Sequence, residues 1–275
     1  MESNKDVPEI LYRYRPMMMN GEGVIQDLDA LREQYIWLSH KKNLNDPFEF
    51  GVNVTVEIPD IETDDFRRLC CDVNNCSEDH FERILVDPAR DELIEDFRVS
   101  RLEVMREVVE GTLDTLAICC FSEEPDNLLM WSHYGSALKG VVLGFSPRGI
   151  FPSLPEGALL SVDYPQDLKY PSFDFTKYVL AVGTESYSEV EREMWTKVFA
   201  TKSLSWQYEK EWRYVGETKE PKLGYGEGAL KEVIFGEFLD SGLEKDIRSV
   251  LEGQGVTFKR AIRDQDFYRV NVVEA

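Results

Sequence analysis

The sequence predicts an α+β fold: one domain over residues 1–275, with a mixed, mostly antiparallel sheet covered by a helical insertion. Three observations carry that prediction. Short apolar runs of strand character cluster at both ends of the chain and flank a helical middle, whereas a doubly wound parallel sheet would alternate strands with helices. The apolar runs reach only about six or seven residues, a strand length and far below the roughly 20 that span a bilayer. No internal repeat or low-complexity linker divides the chain, and 275 residues with 43% hydrophobic content suffice for one large core.

Taken in order, Ile10-Leu11-Tyr12-Arg13-Tyr14-Arg15 alternates aromatic and basic residues, which suits a strand with two different faces, and Pro16 stops it. Val24 to Gln34 reads as a short helix with Leu28 and Leu31 on one side. Tyr35 to Ser39 reads as a second strand, and Asn45-Asp46-Pro47 as a turn-forming run. Residues 57–111 form the predicted acidic helical insertion. Ser77 is placed to cap one helix, and Asp87-Pro88 starts another that ends at Gly111, with Leu93, Phe97, Val104 and Val108 along its buried face. Two strands, 116–121 and 140–145, enclose a short loop-and-helix segment. Further on, 158–164 reads as a strand, 188–203 as a helix with Met194 and Val198 inward, and 206–215 as a strand. The tail gives a strand at 232–236, a helix at 241–251, and a closing pair of strands at 256–262 and 267–273.

Net charge is −21, from 31 basic and 52 acidic residues, which weighs against nonspecific binding to nucleic acid or to anionic membrane. Glu57 to Thr115 carries 18 Asp and Glu against 7 Lys and Arg, a local net of −11 that reads as a solvated helical face. Glu2, Lys5, Asp6 and Glu9 break up the first ten residues, unlike an apolar leader. The five cysteines are odd in number and include two adjacent pairs, which suits a reducing compartment, so a cytoplasmic location is expected. Cys70, Cys71, Cys76 and His80 are the local candidates for a zinc site, but their spacing is not a CxxC framework and no metal ligand is expected.

Chemistry-bearing residues concentrate in two stretches. The first is CCFSEEPDNLLMWSHYGSALKGVVLGF over 119–145, which holds Asp126, Asn127, Trp131, Ser132, His133, Tyr134 and Lys139 between two apolar runs. The second is WQYEKEWRYV over 206–215. As a continuous strand it would place Glu209, Glu211 and Arg213 on one face and Tyr208, Lys210, Trp212 and Tyr214 on the other. Glu211 and Arg213 then read either as an internal ion pair or as the lining of a polar pocket. His133, between aromatic residues, reads equally as a hydrogen-bonded core histidine or as a catalyst. Trp206, Trp212 and Met130 read as core.

LYRYR at 11–15, NDPFE at 45–49, CFSEEPDNLLMWSHYG at 120–135 followed by Lys139-Gly140, YEKEWR at 208–213 and VIFG at 233–236 occur in that order. In this combination the chain resembles a widespread bacterial family of domains of unknown function, over nearly its whole length. The resemblance implies a site at these motifs without implying a reaction. The chain departs from the family at Ser136-Ala137-Leu138, where relatives are expected to carry a second histidine.

Tyr12, Arg13, His133, Tyr134, Glu211 and Arg213 together suit an enzyme handling NAD or a related nucleotide, by ADP-ribosyl transfer or NAD glycosidic cleavage. Arginine or histidine meets a pyrophosphate, an aromatic ring stacks on a base, and a carboxylate stabilises an oxocarbenium-like transition state. The order of a basic-aromatic first strand, an aromatic-serine second strand and a late glutamate also resembles, loosely, that of ADP-ribosyltransferases. On this reading Glu211 and His133 are the catalytic candidates. Tyr12, Arg13, Ser39, Asp126, Asn127, Trp131, Tyr134 and Arg213 are the substrate-binding candidates and NAD is the substrate on this reading, with the cofactor left unknown. Arg13, His133, Tyr134 and Glu211 are expected to converge on one concave face. Two alternatives stay open: a non-catalytic acidic module that binds a protein partner, and a metal-dependent hydrolase or nuclease using Asp126, Glu209 and Glu211 with His133 as base.

Overall fold

The computed structural model describes residues 6–19, 25–74, 77–150, 159–217, 219 and 221–275. The fold is α+β with a mixed, mostly antiparallel sheet. The chain separates into two compact units, one formed by Met1–Asn45, Leu116–Gln166 and Lys202–Ala275, the other by Asp46–Thr115 and Asp167–Thr201. Among the described residues, no helix is long and apolar enough to cross a membrane.

Nine strands of the first unit share one sheet: β1 (Leu11–Arg15), β2 (Ser39–His40), β3 (Leu116–Ser122), β4 (Val141–Phe145), β5 (Leu159–Ser161), β6 (Glu211–Glu217), β7 (Leu230–Gly236), β8 (Thr257–Arg263) and β9 (Val270–Glu274). Their order is β9-β8-β7-β4-β1-β3-β6-β5, with β2 paired to β3. Within this sheet β7 and β8 run parallel, and its other described pairings are antiparallel. Sequence explains the placement of β4. Val-Val-Leu-Gly-Phe is apolar at every position, and β4 is buried throughout at the centre of the sheet.

Each face of the sheet has its own core. On one, Leu11, Cys119, Leu143, Phe145, Trp212 and Phe235 pack with Leu31 of the helix Gln26–Arg32 and Ile247 of the helix Ser241–Val250. On the other, Tyr14, Val142 and Ile234 pack with Met130 and Trp131 of the helix Leu128–His133.

The second unit holds the helices Asp64–Asn74, Glu78–Val86, Arg90–Asp114, Phe175–Ala181 and Tyr187–Phe199, with a parallel pair of strands, Asn53–Thr55 and Ser172–Asp174. Its buried residues include Phe66, Leu69, Phe81, Phe173, Met194 and Val198. Cys76 lies outside the described residues, and among those described no three His, Cys, Asp or Glu are grouped to hold a metal ion.

Several boundaries differ from expectation, each for a local reason. The predicted strand 35–39 breaks at Leu38: Tyr35–Trp37 pairs with Lys222–Gly224, Leu38 donates its N–H to Pro221 O at 2.7 Å, and Ser39–His40 joins β3 instead. The helix predicted to end at Gly111 runs on to Asp114, and its buried side is not Leu93, Val104 and Val108, which are exposed. Met105, Val109 and Leu113 are buried, the i+4 ridge one residue round the helix. The helix predicted to reach Ser203 stops at Phe199. Leu204–Glu209 is a 3-10 turn, so the strand predicted over 206–215 begins at Glu211 and not at Trp206.

Chain reversal after the helix Leu128–His133 demands unusual backbone. Ser136, Ala137 and Leu138 adopt left-handed φ of 51°, 54° and 66°, at a cost of roughly 1–2 kcal/mol for each L-residue. The turn is held by Ala137 N–H donating to Trp131 O at 3.0 Å and Gly140 N–H to Gly135 O at 3.0 Å. Gly140 then passes so close to β1 that a Cβ there would lie 2.2 Å from Arg15 O. Gly140→Ala is therefore expected to destabilise the protein by about 1–3 kcal/mol. Gly111→Ala, in a helix with open space around it, should stabilise by about 0.5–1 kcal/mol. Urea unfolding of the two variants should shift in opposite directions.

Candidate functional site

Glu211 and Arg213 lie two residues apart on β6 and so share a face of the sheet. Arg213 is 0% exposed and grips Glu211 side-on, Nε donating to Oε1 at 2.8 Å and Nη2 to Oε2 at 3.0 Å. Lys202, just before the 3-10 turn, is also buried, and its Nζ donates to Glu211 Oε2 at 3.1 Å and to Glu209 Oε2 at 2.6 Å. Among the described residues, two carboxylates and two cations thus form one buried cluster.

A left-handed residue makes this possible. Lys210, with φ 44° and ψ 54°, closes the 3-10 turn and opens β6, so Glu209 and Glu211 approach the same ammonium from two different elements. The expected single strand through both was wrong, yet both do face one cluster.

From the buried groups a chain of hydrogen bonds runs outward. Tyr134 OH donates to Glu209 Oε1 at 2.6 Å and accepts from Nδ2 of the exposed Asn45 at 2.7 Å. Tyr164 OH accepts from the Glu211 backbone N–H at 3.0 Å. Around Tyr134 the rings follow one another: His133 lies 6.2 Å from Tyr134 and 6.3 Å from Tyr208, and Trp206 lies 6.0 Å from Tyr208. Lys202 Nζ sits 5.1 Å from the centre of the Trp206 ring.

Electrostatics separates the two carboxylates. Burial pushes the Glu211 carboxyl up, but Arg213 and Lys202 outweigh it and hold the group at about 2. At Glu209 burial prevails over the single ammonium of Lys202, and the neighbouring charge of Glu211 adds to it, so its pKa is raised. Burial and the bond to Glu209 also push the Tyr134 hydroxyl well up, and burial with the Glu211 charge raises the Cys120 thiol. One carboxylate is held ionised while its neighbour has an enhanced hold on a proton, the split used in acid–base pairs.

Other residues expected at the site are distributed as follows. Tyr12 and Ser39 lie on the same sheet face as Glu211, since Tyr12 pairs with Ser122, Ser122 with Glu211, and Ser39 with Ile118. Burial and then Glu232 push the Tyr12 hydroxyl to about 12. Asn127 caps the helix Leu128–His133, accepting from Leu129 and Met130 N–H and donating to Tyr208 O at 3.0 Å, so it holds the rim to the 3-10 turn. Trp131 is core, its Nε1 donating to Pro125 O at 2.9 Å. Asp126 and His133 are exposed, while Trp206 is half-buried at the rim and not in the core. Asp46 shapes its turn by accepting from Phe48 N–H at 2.9 Å.

Arg13 does not join them. Alternation along β1 puts it on the opposite face from Tyr12 and Tyr14, where it bonds to Cys119 Sγ and donates to Trp37 O at 2.7 Å. Of the four residues expected to converge, Tyr134 is linked to Glu211 through Glu209 and Lys202, His133 is exposed beside Tyr134, and Arg13 lies on the other face of the sheet. Lys202 and Glu209, in turn, were missed as primary site residues. No local signal separates Lys202 from Lys197, which pairs with Glu193 on a helix surface.

Residues 130–214 match the model of a family described as a protein of unknown function (DUF2971). That span contains Tyr134, Lys202, Glu209, Glu211 and Arg213, whereas the motifs at 11–15, 45–49 and 233–236 lie outside it. No curated protein and no solved structure matches the chain.

Removing the Glu211 charge would leave Arg213 buried without its carboxylate, so Glu211→Gln is expected to cost about 3–5 kcal/mol, against less for Glu209→Gln, which leaves Lys202 its bond to Glu211. The pH dependence has a definite sign. Because the Glu211 pKa is depressed from 4.5 to about 2, its contribution of about 3 kcal/mol is present above 4.5 and lost as pH falls from 4.5 through 2. Glu209 acts in the opposite sense, its contribution present at low pH and lost as pH rises through its raised pKa. Thermal unfolding across pH 2–6 should show a steep acid loss in the wild type that is flattened in Glu211→Gln.

Proposed function

We propose that this protein is an enzyme handling NAD or a related nucleotide, cleaving the bond between ribose and nicotinamide or transferring the ADP-ribosyl group. The observation that carries the reading is the Glu209–Lys202–Glu211 cluster reached from the surface through Tyr134 beneath an aromatic rim. In such a reaction the C1′–N bond breaks, its electron pair leaves with neutral nicotinamide, and positive charge develops on the ribose. An acceptor oxygen then bonds to C1′ and gives up its proton. Glu209 is the carboxylate nearest the rim and the one suited to accept that proton or to face the developing charge. Glu211 and Lys202 set its protonation, Tyr134 positions it, and Trp206, Tyr208 and His133 offer faces for a base to stack on. Glu211, buried in the Arg213 clamp, thus supports the reacting group, and a cytoplasmic pool of NAD would be the substrate source.

A second reading, a non-catalytic module that binds a basic protein partner, draws support from the acidic second unit, where Asp91, Glu92 and Glu95 are exposed. The hydrolase alternative fits less well. Lys202 Nζ occupies the position between Glu209 and Glu211 that a divalent ion would take, and the exposed Asp126 is not part of the cluster.

Nicotinamide release from NAD, followed by chromatography, is the deciding assay. The wild type is expected to turn over NAD, and Glu209→Gln to lose on the order of 100-fold in kcat while melting within a few degrees of the wild type. Asp91→Asn with Glu92→Gln should leave turnover unchanged. Absence of NAD turnover by the wild type, with or without a protein acceptor, overturns the enzyme reading in favour of the binding module.

A further inference from the structure

The opposite face of the sheet holds a cavity of about 220 Å³, between β1, β4, the helix Gln26–Arg32 and the strand Tyr35–Trp37. Its wall combines Arg13 and Arg15 with Leu143, Phe145, Trp37 and Tyr225. Two features there are costly for an empty protein. Arg13 is only 8% exposed, and among the described residues no carboxylate lies within ion-pair distance of it; its partners are a thiol sulfur and one backbone carbonyl. Arg15, by contrast, is neutralised by Asp27 at 2.6 Å, and Asp29 by Arg32 at 2.6 Å. Tyr225 is also 8% exposed, and its hydroxyl has no hydrogen-bond partner.

A buried, uncompensated guanidinium asks for an anion, and an orphaned buried hydroxyl asks for a hydrogen-bonding group. Apart from Gln26 and the paired Asp27 and Asp29, the remaining wall is apolar and aromatic, with Tyr225 edge-on to Phe145 at 5.2 Å. An apolar cavity of about 150 Å³ holds benzene, so this one has room for a ring bearing a small polar group at each end. We propose that this cavity is a second ligand site, for a small aromatic carboxylate that carries another hydrogen-bonding group. The carboxylate meets Arg13, the ring lies against Leu143 and Phe145, and the second group meets Tyr225. The site is independent of the nucleotide reading, which concerns the other sheet face.

Isothermal titration calorimetry with 4-hydroxybenzoate, benzoate and benzyl alcohol tests it. Both acids should bind saturably at about millimolar concentration or below, and benzyl alcohol at least about tenfold more weakly. Tyr225→Phe, which removes only the orphaned hydroxyl, should weaken 4-hydroxybenzoate about tenfold and leave benzoate within about twofold. Arg13→Gln should abolish binding of both acids; if that variant does not fold, the Tyr225→Phe comparison decides alone. No binding of either acid, equal binding of benzyl alcohol and benzoate, or an equal effect of Tyr225→Phe on the two acids would overturn the proposal.

Discussion

A guanidinium sealed inside a β-sheet is the constraint on which the first unit depends. Arginine cannot shed its proton at any pH a protein survives, so Arg213 must be matched by a fixed negative charge. Glu211, two residues earlier on the same face, supplies it with side-on geometry. The left-handed Lys210 ends the 3-10 turn and opens the strand, so Glu209 and Glu211 meet the same ammonium from two different elements. The 3-10 turn, the capped helix Leu128–His133 and the strained turn after it then place Tyr134 over Glu209, satisfying an oxygen that burial would otherwise leave bare.

What the sequence discloses follows from how local each cause is. Period-two alternation and apolar runs disclose β1, β3, β4 and β7 to within a residue or two, because burial of those strands is decided by their own side chains. Asn127, expected as a substrate-binding residue, caps the helix Leu128–His133, a local role that was not read from the sequence. The interruption at Leu38 is not disclosed, since it depends on which distant strand offers a partner: Lys222–Gly224 on one side and Ala117–Ile118 on the other. Nor is the face of the helix Arg90–Asp114, where two adjacent i+4 ridges are both apolar and only the packing surface chooses between them.

The candidate site shows the same division. Glu211, Arg213 and Tyr134 stand in aromatic-rich motifs and were legible. Lys202 was not, because a lysine after a helix has no local mark that distinguishes a buried ion-pair partner from a solvated one. Arg13 misled in a different way. Its neighbours Tyr12 and Tyr14 do face the ionic cluster's side of the sheet, and the two-faced alternation legible in LYRYR itself puts Arg13 on the other side. β1 thereby links two chemically distinct environments through a single five-residue strand.

Whether the ionic cluster is only structural turns on its asymmetry. Two acids and two cations could have been arranged as two equivalent pairs, each carboxylate held low by its own partner, and hydrophobic residues of similar volume could often do as well for stability. Instead Glu211 takes contacts from both Arg213 and Lys202, while Glu209 shares one ammonium and relies on a neutral hydroxyl for its other oxygen. The consequence is one group far below its ordinary pKa and one above it, separated by a single ammonium. Holding a buried carboxylate in the costlier state is unfavourable for folding, and it is the member with the path to the surface that carries the cost. That pairing of expense with access is the feature on which the proposed role of Glu209 rests.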